Sequence, residues 1–181
     1  PSPRRDRPPD GPPVAIVGAG PAGLAAALEL SKRGYAPTLF DARERPGGML
    51  EYAVPDYRLP RDALRRDVQA VLEAGVRFEG KQKLGRDFTL DTLRERGFRA
   101  ILLALGAQGS ARPKMPGADL PGVLEALAFL EERPDVKGAR VVVVGGGDVA
   151  IDVARTALRL GAKGVEIVFP EPEGQMAAAP D

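Results

Sequence analysis

Two glycine clusters and one acid hold the residue types and spacings that could do chemistry in this chain. The clusters are Gly18-Ala19-Gly20-Pro21-Ala22-Gly23 and Gly145-Gly146-Gly147-Asp148-Val149-Ala150, and the acid is Asp41. The spacing G-x-G-x-x-G/A suits a dinucleotide. The first glycine allows a sharp turn off a strand, the second lets a pyrophosphate approach the backbone, and the third lets a helix pack close to the strand. The helix that follows offers unpaired N–H groups and a partial positive charge to phosphates. Asp41 lies 23 residues after Gly18, near the position expected for a ribose-binding carboxylate. The 181 residues contain no cysteine and no histidine. That excludes disulfides, thiolate metal sites, an iron–sulfur cluster and a redox-active cysteine pair within the chain, and it removes the commonest general base. No side chain is assigned as catalytic and none as a metal ligand, so the chemistry must come from a bound cofactor or from other side chains.

The elements around these residues are legible in the hydrophobic pattern. Val14 to Val17 reads as a strand running into the first turn. Leu24 to Leu30 is a good helix former, Gly34 stands where a C-terminal cap belongs, and Pro37 to Phe40 is a second strand ending at Asp41. Gly47-Gly48 allows positive φ or close backbone approach, and Pro55 and Pro60 punctuate a loop. Pro60 opens a helix with Leu64, Val68, Val71 and Leu72 on its apolar face, Arg61, Arg65, Arg66 and Asp67 on its solvated side, and Gly75 at its end. Val76 to Phe78 reads as a strand and Thr89 to Arg96 as a short helix. The run Phe98 to Leu105, broken only by Arg99, suits a buried parallel strand leading into Gly106-Ala107-Gln108-Gly109. Val123 to Glu131 reads as helix. The four valines Val141 to Val144 suit a buried strand before the second glycine turn, with a helix to Leu160, a cap at Gly161 and a strand from Val165 to Phe169.

The repeat of strand, glycine turn, helix, glycine and strand changes the reading. Two such starts in one chain point to two dinucleotide sites, such as a flavin and a nicotinamide site. The fold class is α/β, with two Rossmann-like units built on parallel sheets, the second incomplete. Residues 1–13 read as a disordered lead-in, 14–112 as the first part of an FAD-binding domain, 113–138 as linker and helix, and 139–181 as the start of an NAD(P)-binding domain. After Phe169 the acid position holds Pro170, followed by Glu171 and Glu173 with no nearby arginine, which favours NADH over NADPH.

Lys plus Arg number 26 against 25 acids, so no broad basic surface points to nucleic acid. The basic start followed by an apolar run imitates a signal peptide, but the glycines and Pro21 fall at dinucleotide spacing. No apolar run approaches the ~20 residues of a membrane span, and the expectation is a cytoplasmic protein.

The segments VAIVGAGPAGLAAALEL, RPGGMLEYAVPDYRLPRDAL, LLALGAQ and VVVVGGGDVAIDVARTALRLGAKGVEIVF together resemble the glutamate synthase small-subunit family. That family includes the flavin/nicotinamide region of dihydropyrimidine dehydrogenase and NAD(P)H–ferredoxin oxidoreductase subunits. The resemblance spans about Pro13 to Met176, and GGML…YAVPDYRLP is its most specific part. It implies that Gly18, Gly20 and Gly23, with the intervening Ala19, Pro21 and Ala22, cradle the FAD pyrophosphate, with Asp41 on the ribose. Gly48, Met49 and Arg58 lie along FAD, and Gly106 is a further contact. Gly145, Gly146, Gly147, Asp148 and Val149 meet the nicotinamide dinucleotide. The same resemblance implies that hydride passes from NAD(P)H to the flavin and that electrons leave toward an iron–sulfur protein or a large catalytic subunit. The family's flavin domain is closed by a return segment with a Gly-Asp pair. LPGV at 120–123 leads instead into LEALAFL, so the expectation is an incomplete member. Two other readings are a nucleotide-binding fragment without turnover and an FAD-dependent monooxygenase, the latter disfavoured by the GGML…YRLP loop.

Overall fold

The computed structural model describes residues 10–109, 115–172 and 178. Residues 1–9 of the expected lead-in, the 112/113 domain boundary and Glu173 lie outside that set. The described residues divide into two compact units, one of residues 10–52 and 56–108, the other of 53–55, 109, 115–172 and 178.

The first unit is built on a four-stranded parallel sheet of order β3-β2-β1-β4, with β1 Pro13–Val17, β2 Ala36–Phe40, β3 Arg77–Glu79 and β4 Ala100–Leu103. Helix α1, Pro21–Lys32, links β1 to β2; α2, Met49–Tyr52, and α3, Arg61–Glu73, precede β3; α4, Leu90–Glu95, precedes β4. Strand alternation sends Val14, Ile16 and Leu39 to one face, where they pack with Leu24 and Ala27 of α1 and Val71 of α3. Ala15, Val17 and Phe40 go to the other face, against Phe88 and Leu93. Helix ends follow the glycines. After α1, Gly34 takes φ +88, its N–H bonds Ser31 O at 3.0 Å, and Tyr35 N–H bonds Leu30 O at 3.0 Å, a Schellman stop. Thr89 caps α4 by accepting from Thr92 N–H at 3.2 Å.

The second unit holds α5, Ala126–Glu132, and the parallel pair β5, Arg140–Val144, and β6, Gly164–Val168, joined by α6, Asp148–Arg159. Its core is Phe129, Leu130, Val143, Ala150, Val153, Ala154 and Ala157.

Three expectations are corrected. The strand within Phe98 to Leu105 is parallel to β1 but lies at the sheet edge, so Leu102 and Leu103 are 40% and 51% exposed rather than buried. The valine strand β5 is buried on one face only, because α5 and α6 cover Val143 while Val142 and Val144 stay exposed. The stretch after Gly48 is one turn of helix, α2, rather than loop.

Candidate dinucleotide sites

In the first unit the strands deliver their C-terminal ends to one edge, and strand order reverses between β1 and β4. Ligands of open parallel sheets bind at such a reversal. Gly18 leaves β1 there with φ +112, and its N–H bonds Phe40 O at 2.7 Å. A side chain at Gly18 would run into the carbonyl of Ala104, since the end of β1 presses on the end of β4, where Ala104 N–H bonds Val17 O at 2.8 Å. Gly106 lies just past β4, after Ala104 and Leu105, with φ +67 and is exposed. At Gly23 a Cβ would collide with Gly18 O, so only glycine lets α1 start this close to the strand. Gly20 is different: a Cβ there would meet only the Cα of Gly48, at 3.8 Å. Space above this backbone is open, as an approaching phosphate requires. Gly20 is the N-cap of α1 in extended conformation and brings no capping side chain. Pro21 has no N–H to leave unpaired, and the amides of Ala22 and Gly23 have no acceptor among the described residues. The helix start therefore offers amide donors to an anion.

Asp41 follows β2. Its Oδ2 accepts from Ala19 N–H at 2.7 Å and its Oδ1 from Arg43 N–H at 2.8 Å. The carboxylate braces the glycine turn, and its remaining lone pairs stay available to sugar hydroxyls. Gly48 packs on the turn from the other side: a Cβ there would stand 2.7 Å from Gly20 Cα, and Gly47 N–H bonds Ala19 O at 2.8 Å. Met49 begins α2 beside it and is half-buried. Arg58 lies exposed in the turn between α2 and α3. Gly18 to Gly23, Asp41, Gly48 and Met49 are thus tied into one cradle by contacts or chain adjacency, and Arg58 follows further along the chain, between α2 and α3.

The segment after Asp41 is pinned by charge. Lys81 Nζ lies 2.9 Å from Glu44 and holds that carboxyl below its usual range by hydrogen bond and charge. Arg45 Nε donates to Glu51 at 2.6 Å, and Glu51 is buried. Arg61 is not on the solvated side as expected. Its side chain is 17% exposed, paired with Asp56 at 2.9 Å and bonded to Leu50 O. Sequence reasoning missed these ties, because the charge pairs Arg61–Asp56, Arg45–Glu51 and Lys81–Glu44 follow no period that marks them as partners. A cleft of about 200 Å³ lined by Pro13, Thr38, Arg77, Arg96 and Phe98 is formed by the strand starts and neighbouring loops, away from the glycine turn.

The second unit repeats the design. Gly145 leaves β5 with φ +131, and its N–H bonds Val168 O at 2.8 Å. Gly147 is an extended N-cap with nothing within 4 Å of a Cβ position, and Gly146 packs on Phe169. Asp148 and Val149 open α6, and Val149 is 46% exposed. The third glycine is replaced by Ala150, whose Cβ would lie 3.9 Å from a Cβ on Gly145, so the helix stands far enough off for a methyl group. Glu171, past β6, is exposed.

Comparison with known proteins agrees with this geometry. The chain is 41% identical over 172 residues to the NADP(+)-dependent formate dehydrogenase subunit beta of Moorella thermoacetica, covering 91% of this chain and 24% of that protein. It is 37% identical over 172 residues to the glutamate synthase [NADPH] small chain of Azospirillum brasilense, covering 86% of this chain and 36% of that one. The chain therefore spans well under half the length of these relatives. Among solved structures, FprA of Mycobacterium tuberculosis in complex with NADPH superposes with a TM-score of 0.80 at 29% identity, over 93% of this chain and 45% of that chain. The profile of one family matches residues 12–176. The chain belongs to the pyridine nucleotide-disulphide oxidoreductase family.

Proposed function

We propose that the chain binds FAD on the first glycine turn and a nicotinamide dinucleotide on the second, as the hydride-transfer part of a flavoprotein oxidoreductase. The observation that carries this reading is the repeated turn: two parallel strand–helix–strand units, each with an extended N-cap glycine that no side chain caps. Gly18 to Gly23 hold the FAD pyrophosphate, Asp41 takes the ribose, and Gly48, Met49, Arg58 and Gly106 line the flavin. Gly145, Gly146, Gly147, Asp148 and Val149 hold the second dinucleotide. The domain limits proposed are 14–112 for FAD, 113–138 for the connecting segment and 139–181 for the nicotinamide unit. A flavin bound in the first cradle supplies the centre that accepts hydride from the reduced nicotinamide. The residues of this chain bind, orient and brace, and no proton need be held by a histidine. Although the family is named for disulphide chemistry, the chain has no cysteine, so a thiol–disulphide step within it is excluded.

Electrons pass onward to an iron–sulfur protein or a large catalytic subunit. The names of similar proteins, subunits of formate dehydrogenase and of glutamate synthase, support a place in a larger assembly. We place the protein in the cytoplasm; no described helix is long and apolar enough to cross a membrane. Pro170 and Glu171 after β6 support NADH, while the relatives are named for NADP(+) or NADPH. A second reading, nucleotide binding without turnover by this chain alone, is favoured by the open apolar face carrying Val142 and Val144.

The test is an absorbance spectrum of the purified chain after FAD is added and the excess removed, followed by anaerobic NADH and then NADPH. A retained flavin band bleached by one nucleotide supports hydride transfer and names the nucleotide. A retained band that neither bleaches supports the second reading. Loss of the flavin overturns the assignment for the isolated chain.

A further inference from the structure

We propose that Glu51 is a positioning residue for the flavin cradle, acting through Gly47 and Gly48; this rests on the FAD reading of the first glycine turn. Glu51 is a buried carboxylate one turn beyond the paired glycines, with its side chain 5% exposed. Arg45 Nε donates to it at 2.6 Å, while the Arg45 side chain is 63% exposed. The pair joins the two ends of the segment that contains Gly47 and Gly48. Tyr52 closes the same segment a second time. Arg45 N–H donates to Tyr52 Oη at 2.9 Å, Tyr52 Oη donates to Arg45 O at 3.2 Å, and the Arg43 and Arg45 guanidiniums lie 5.0 and 5.7 Å from the Tyr52 ring centre. Glu51 also packs directly on the glycine pair, since a Cβ on Gly47 would come 2.8 Å from Glu51 Cβ. Gly47 N–H in turn holds Ala19 O at 2.8 Å, and Gly48 sits against Gly20. Two adjacent glycines at φ +127 and +56 have wide conformational freedom of their own. The ion pair, buried at its Glu51 end, removes that freedom before a cofactor arrives, and ordering done in advance is not subtracted from binding.

The experiment uses the full 181-residue chain with Glu51→Ala, Glu51→Gln and Arg45→Met. Arg45→Met cuts the tie from its exposed end and leaves no buried hole. Amide exchange of residues 47–52 in the cofactor-free protein and the dissociation constant for FAD are both measured. Exchange of this segment is expected to speed up about tenfold in Glu51→Ala and Arg45→Met, with the β1 amides unchanged, and FAD affinity to fall about tenfold in step, because Glu51→Ala removes the tie and its packing on Gly47 while Arg45→Met leaves the buried carboxylate uncompensated. Glu51→Gln still accepts from Arg45 and is expected within about threefold of the parent. Equal FAD affinity in parent and Glu51→Ala overturns the positioning role while leaving the FAD reading intact. Glu51→Gln as weak as Glu51→Ala overturns it in favour of a plain charge effect. A parent chain that takes up no FAD overturns the functional reading itself.

Discussion

The two glycine turns share one plan and differ in their surroundings. Each unit has a five-residue strand, a twelve-residue helix and a five-residue strand. Each helix ends in the same stop: Gly34 and Tyr35 after α1, and Gly161 and Ala162 after α6, whose N–H groups bond Leu158 O and Ala157 O at 3.0 Å. Yet four of five residues are buried in both β1 and β2, against one in β5 and none in β6. A glycine turn with its strand–helix–strand frame therefore fixes backbone path but not burial. Burial comes from neighbours. β1 lies between β2 and β4 with apolar clusters on both faces, whereas among the described residues β5 pairs only with β6, and the core cluster of its unit lies on one face.

The sharpest difference is the third position of the motif, and it gives the largest expected effect. Gly23→Ala drives a methyl group into Gly18 O, so α1 must move away from β1. Overpacking of this kind costs about 2 kcal/mol or more, and FAD retention is expected to be lost with it. The mirror change, Ala150→Gly, removes a methyl group that fits without collision but is buried in the second core, and is expected to cost about 1–2 kcal/mol from helix propensity and lost burial. Denaturant unfolding and flavin content of the two variants check this. A gain in stability from Ala150→Gly would mean that α6 stands as close to its strand as α1 does to β1.

The acid after the second strand is the next difference. Asp41 accepts from Ala19 N–H, so it belongs to the first turn physically, whereas Glu171 is exposed. Asp41→Ala is expected to weaken FAD binding about tenfold or more, the scale of a lost hydrogen bond to a charged group. Glu171→Gln is expected to weaken NADH by about threefold and to strengthen NADPH by about the same factor, since a carboxylate there opposes a 2′-phosphate. Titrations with each nucleotide separate the cases. A loss of NADPH affinity in Glu171→Gln would remove the carboxylate argument for NADH.

This asymmetry also marks how far the sequence could be read. The strands, the long helices and both glycine turns follow from period and spacing, because backbone needs at Gly18 and Gly34 leave few alternatives to glycine. The run from Phe98 to Leu105 shows the limit. Its composition states that it is a strand, but whether it lies at an edge depends on the strand order around it, which no local pattern encodes. Arg61 shows the same limit for charge. Its place on α3 reads as solvated, and its burial depends on Asp56 and the Leu50 carbonyl, which reach it through the fold of a loop. The spacing of Asp41 from Gly18 makes it a candidate ribose ligand in the sequence, but its bond to Ala19 N–H needs the three-dimensional path of β2.

The smallest expected effect tests whether the open face of the second unit is open in solution. Val142 is 59% exposed on β5, whereas Ile16, in the central β1 strand of the first unit, is fully buried. Ile16→Val removes one methylene from a packed core and is expected to cost about 1 kcal/mol. Val142→Thr keeps the shape and β-propensity and changes only polarity, so on an exposed face it is expected to stay within about 0.5 kcal/mol of the parent. Unfolding of the two units can be followed separately by amide exchange, because the units are compact on their own. If Val142→Thr costs as much as Ile16→Val, something covers that face in solution and the contrast in burial disappears. Repeating the measurement across a dilution series then decides what covers it. A cost that fades on dilution points to a second copy of the chain, and one that does not points to a segment of the same chain.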